Sequence, residues 1–101
     1  MTKADLKKEK AFYETFLYGT PEEKVAALDW LQSCRSWDAK RWVQGLLFDG
    51  SPIVRIRAAK FIADYLTYMK DLETAVKVEK DAKAKQEMER YLNNLKELIA
   101  K

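Results

Sequence analysis

The sequence predicts an all-α protein, and three observations carry that reading. Apolar residues make up 48% of the 101 and charged residues 35%, with only three glycines and two prolines, the composition of a helix-rich globular chain. No stretch alternates apolar and polar residues with the period of a strand. Two segments carry the same helix-start signal 31 residues apart, Thr20-Pro21-Glu22-Glu23 and Ser51-Pro52. A chain of this length buries roughly 65% of its unfolded surface, so one domain over 1–101 with one core is expected.

The first signal sets an N-cap threonine before a proline, with a glutamate three residues after the cap, which is a capping box. It predicts a helix over 21–33, preceded by one over about 3–18. Ser51-Pro52 repeats the cap and first turn, following Asp49-Gly50 as Tyr18-Gly19 precedes Thr20. It predicts a helix over 52–69, with another at 37–48 before it. Each glycine is expected to allow a left-handed turn between antiparallel helices.

Laying FLYGTPEEKVAALDWL over LFDGSPIVRIRAAKFI matches Gly19 with Gly50, Pro21 with Pro52, Lys24 with Arg55, Val25 with Ile56, Ala27 with Ala58 and Trp30 with Phe61. The chain therefore holds an internal repeat, with units at about 3–33 and 37–69. A third copy at the same shift fails, because Lys83 falls on the place of Pro52 and Glu89 on that of Ala58. Residues 71–101 are accordingly expected to form a C-terminal helical cap, with a break near Lys70-Asp71. Within it VKVEKDAKAKQEMER reads as a solvated helix, and Met88, Tyr91, Leu92, Leu95, Leu98 and Ile99 as an apolar stripe.

Asp49, Pro52, Val54-Arg55, Ala58 and Ile62 follow the HEAT-like pattern of Asp, Pro, Val-Arg, Ala and a large aliphatic. On these residues the unit 37–65 resembles the short bacterial type of HEAT-like repeat protein, with a period shorter than the ~40–47 residues of long HEAT units. The unit 6–33 departs from the pattern, since Tyr18 takes the Asp place and Glu23-Lys24 the Val-Arg place. The resemblance implies a HEAT-like α-solenoid of antiparallel hairpins with a C-terminal capping helix. It also implies that Asp49 and Arg55 stabilise the stack and that partners bind the inner face, lined by the second helix of each unit.

Composition narrows function further. The chain has no histidine and one cysteine, Cys34, so the commonest general base, an intramolecular disulfide and a cysteine-pair zinc site are all absent. Three scattered glycines make no phosphate-cradling loop. Asp5 and Glu9 stand one turn apart among lysines and read as surface ion pairs. The expectation is a protein that is not an enzyme and takes no cofactor or metal. A single thiol fits a reducing, cytoplasmic compartment. No window approaches the ~20 apolar residues of a membrane span, and the first residues lack a signal peptide's apolar core.

Net charge is +3, and residues 35–60 hold six basic against two acidic side chains. In the helix 52–69, Val54, Ala58, Phe61, Ile62 and Tyr65 form a core stripe, leaving Arg57, Lys60, Asp64 and Tyr68 on another. Asp29 occupies the equivalent ridge of the preceding unit. Such a face suits an acidic helix or peptide of another protein, with Arg57 and Lys60 as electrostatic anchors. The plainer reading is that Lys60 and Asp64 form an i, i+4 surface pair. Trp30 and Trp42 read as core; Trp37, beside Arg35, Lys40 and Arg41, is a candidate apolar anchor. The expected partner-binding set is thus Asp29, Trp37, Arg41, Arg57, Lys60 and Asp64, in a non-catalytic interaction module or small adaptor. The alternative is DNA binding, with Lys40, Arg41, Arg57 and Lys60 on phosphates; Asp29 and Asp64 in the same groove count against it. The C-terminal stripe either caps the stack or pairs in a weak homodimer, and capping is favoured because an open end must be covered.

Overall fold

A computed structural model describes residues 14–34 and 39–100. Among them there is no strand, and the helices are α1 (Pro21–Cys34), α2 (Ala39–Leu46), α3 (Pro52–Ile62), α4 (Met69–Val78) and α5 (Ala82–Ala100). Residues 14–18 are also helical. Helices α1, α3 and α5 lie side by side, α3 in the middle, while α2 packs on α3 and α4 on α5 as a second layer. The Cα extents, 40 × 30 × 16 Å, are those of a two-layer slab. The all-α class is as expected.

The capping box forms: Thr20 N–H donates to Glu23 Oε1 at 3.1 Å and Glu23 N–H to Thr20 Oγ1 at 3.2 Å. These contacts, the Thr20 backbone first and its hydroxyl second, hold the Glu23 carboxyl below its ordinary range. Ser51 does not repeat the chemistry, since its side chain makes no capping bond. Asp49 supplies only the other half, accepting the Ser51 N–H on Oδ2 at 3.0 Å as Glu23 accepts that of Thr20. The glycines also differ from expectation, for neither Gly19 nor Gly50 adopts a left-handed φ. Gly19 is required by close approach instead: a Cβ there would lie 2.6 Å from the Thr15 carbonyl oxygen.

The core is centred on α3, which buries Val54, Ala58, Ala59, Phe61 and Ile62. Two adjacent alanines at zero exposure let neighbours approach closely on both flanks. Leu28 and Leu31 of α1, Val43 of α2, Leu72 of α4 and Met88 and Leu95 of α5 are among the residues that join it, with Trp30 and Trp42 packed partly buried against it.

The helix expected over 52–69 stops at Ile62, and the break expected at Lys70-Asp71 lies inside α4. Ala63 N–H still reaches Ala59 O, after which Tyr65 turns extended (φ −129, ψ 107) and Leu66–Tyr68 form a 3₁₀ turn. No glycine or proline marks this stop. Its cause is tertiary: turning there packs Tyr65, Tyr68 and Met69 on the core, the Tyr65 ring 5.9 Å from that of Phe61.

The segment read as one solvated helix is likewise broken, at Glu79–Asp81. Asp81 caps α5, its Oδ1 accepting the Ala84 N–H at 2.9 Å. A shift of 30 residues, rather than 31, now sets Asp49 on Glu79, Ser51 on Asp81, Val54 on Ala84, Ala58 on Met88 and Ile62 on Leu92. Helices α4 and α5 pack on one another as α2 and α3 do, and α5 packs on α3 as α3 does on α1. Of the C-terminal stripe, Met88, Leu92 and Leu95 are buried within this chain, leaving Leu98 and Ile99 exposed.

One ion pair recurs between hairpins. Lys24 of α1 donates to Asp49 at 2.7 Å, and Arg55, its equivalent in α3, reaches the next hairpin's Glu79 through Nε at 2.6 Å and Nη2 at 2.9 Å. Arg55 Nη1 also donates to the Asp49 carbonyl oxygen at 2.8 Å. Glu79, like Asp49, accepts the backbone N–H two residues on. Burial pushes the Glu79 carboxyl up, but the Arg55 hydrogen bonds, the Asp81 N–H and the Arg55 charge together hold it below its ordinary range.

Candidate functional site

The helices α1, α3 and α5 share one outer face, and on it Ile56 of α3 and Val25 of α1 line a common cavity. With Ile53 and Tyr91 these side chains form the apolar floor of a cavity of about 560 Å³. Ile53 is 46% exposed, a large aliphatic in contact with solvent. Lys60 and Lys83 line the same cavity, as do Glu22 and Glu87. Lys60 and Tyr91 also line a second cavity of about 420 Å³ toward the carboxyl ends of the helices, where Gln32, Asp64, Asn94 and Glu97 surround it. The two cavities adjoin at Lys60 and Tyr91, a trough in two parts along α3.

Arg57, Asp29 and Asp64 of the expected set are brought together, in a network. Arg57 Nε donates to Asp29 Oδ1 at 2.5 Å and Nη2 to Gln32 Oε1 at 2.5 Å. Gln32 Nε2 then donates to Asp64 Oδ2 at 2.8 Å. The Arg57 side chain is only 13% exposed, and its Nη1 is shielded with no acceptor among the described residues. Arg57 is therefore engaged within the fold, bridging α1 to α3. Lys60 is exposed, and the surface pair with Asp64 does not form; no ion pair involves Lys60 among the described residues. Arg41 belongs to α2, in the layer away from the trough, and its side chain is outside the described residues. Trp37, Asp5 and Glu9 also lie outside them, as does the Cys34 side chain.

Sequence reasoning missed Gln32, the hinge of the network, and the floor residues Ile53, Ile56 and Tyr91. One signal was present: Ile53 and Ile56 fall on the same helical stripe as Arg57, Lys60 and Asp64, at spacings of three and four. Tyr91 was absorbed into the C-terminal stripe, yet it lines the trough floor while Met88 and Leu92 are buried in the core.

Among the described residues no three His, Cys, Asp or Glu side chains gather as metal ligands. No described helix is long and apolar enough to cross a membrane. No protein-family model, curated protein or solved structure matches the chain.

Proposed function

We propose that this protein is a non-catalytic interaction module, a small adaptor that takes a segment of another protein into the trough on the α1–α3–α5 face. The observation that supports this reading is the trough's apolar floor, open to solvent at Ile53 and flanked by Lys60 and Lys83. Exposed apolar surface rimmed by charge is what partner sites present. Recognition is by shape and charge: floor residues supply desolvation, and Lys60 supplies the electrostatic anchor that Arg57, tied to Asp29, does not.

Affinity capture tests it. Wild type, Ile56→Asp and Lys60→Glu, each checked for native helicity, are exposed to nuclease-treated lysate of the source cells at roughly physiological salt. The expected result is one or more proteins, identified by mass, retained by wild type and reduced at least roughly tenfold by Ile56→Asp, with Lys60→Glu weaker than wild type. Retention of the same proteins by all three would contradict the reading. Material captured from a parallel untreated lysate and lost on nuclease treatment would transfer the site to nucleic acid.

A further inference from the structure

The trough has dimensions and a charge polarity that restrict its occupant. Its line along α3, from Ile53 to Ile62, is two and a half helical turns or about 14 Å long, and Asp64 follows just past that end. Residues of α1, α3 and α5 all line the wider cavity. Neighbouring helix axes stand about 8–10 Å apart, so the walls on α1 and α5 leave roughly the width of one further helix above α3. A helix seated there would lie over α3 as α3 itself lies between its neighbours.

The two halves differ in charge. Toward the carboxyl end, Asp64 and Glu97 line the cavity with Lys60 as the one cation among the described residues, at its boundary. Toward the amino end, Lys60, Lys83 and the internally paired Arg57 face Glu22 and Glu87, over the apolar floor. That half is near neutral and apolar, and the other is acidic. Helix N-termini carry partial positive charge and C-termini partial negative charge, so a helix entering the trough is favoured with its N-terminus over the acidic half.

Resting on the reading of this face as a partner site, we propose that the occupant is a single amphipathic helix of another protein, antiparallel to α3. Its first turn is basic and lies over Asp64 and Glu97. Its apolar stripe fills the floor of Val25, Ile53, Ile56 and Tyr91. A carboxylate in its last turns meets Lys60 and Lys83.

The test uses two synthetic peptides of about four turns and identical composition, each stapled on its polar face so that both are equally helical. One carries lysines in the first turn, a leucine stripe, and glutamates in the last turn; the other exchanges the lysines and glutamates. Fluorescence anisotropy against the whole chain should show the first binding roughly tenfold more tightly than the second. The order should reverse for the charge-exchanged chain carrying Lys60→Glu, Asp64→Lys and Glu97→Lys. Equal binding of the two peptides, both lost with Ile56→Asp, would overturn the orientation while leaving the trough as a binding site. Failure of both peptides to bind wild type, or binding indifferent to Ile56→Asp, would overturn the site together with its occupant.

Discussion

Arg55→Ala should lower stability by about 3–5 kcal/mol, the cost of stranding a buried charge, read as a fall in the urea midpoint at unchanged slope. Both Glu79 oxygens are held by Arg55, and the Glu79 side chain is 3% exposed. Without the guanidinium that carboxylate keeps only the Asp81 N–H. Removing both partners as Arg55→Ala/Glu79→Ala should cost less than Arg55→Ala alone, since no charge is left unpaired. Lys24→Ala should cost about 1–2 kcal/mol, because Asp49 is more exposed, at 12%, and still accepts the Ser51 N–H.

The pH dependence follows from the Glu79 shift. Its carboxyl is held lower in the folded than in the unfolded chain. The pair's stabilisation is therefore fully present above the unfolded carboxylate value and is lost as pH falls through the folded one. With Arg55 removed, the largest lowering influence on the carboxyl is gone and only the Asp81 N–H still opposes burial. The gap between wild type and Arg55→Ala should thus be widest near neutrality and narrow on acidification. A constant gap down to acid pH, or a loss below about 1 kcal/mol at pH 7, would mean that this pair does not tie the second hairpin to the third.

Phe61→Ala should cost about 3–5 kcal/mol and open a cavity at the centre of α3. The ring has no solvent exposure, stacks tilted on Tyr65 and belongs to the helix that touches every other labelled helix. For a domain of this size the melting temperature should fall on the order of 20 °C. The equivalent change in the first hairpin, Trp30→Ala, should cost less, because Trp30 is only partly buried. Similar costs for the two would place the centre of the core elsewhere than α3.

How far the sequence reached depends on where each signal is stored. Thr20 and Glu23 cap one another within four residues, so that helix start was legible, as was the core stripe of α3. The stop at Ile62 was not, because no residue near it refuses a helix; it is set by the gain from burying Tyr65 and Tyr68 against distant helices. The break at Glu79 was not legible either, because the contact made there is with Arg55, 24 residues earlier. Arg57, Lys60 and Asp64 could be placed on one stripe from helical spacing alone. That Asp29 and Gln32 would occupy Arg57, leaving Lys60 as the exposed cation, is decided by how α1 packs on α3.

The most direct measurement is photocrosslinking with a photoreactive phenylalanine analogue in place of Lys60, compared with the same analogue in place of Thr74, exposed on α4 in the other layer. Crosslinks to protein from position 60, absent from position 74, are the expected result. Equal labelling from both positions, or adducts from position 60 that nuclease removes, would contradict a protein partner in the trough.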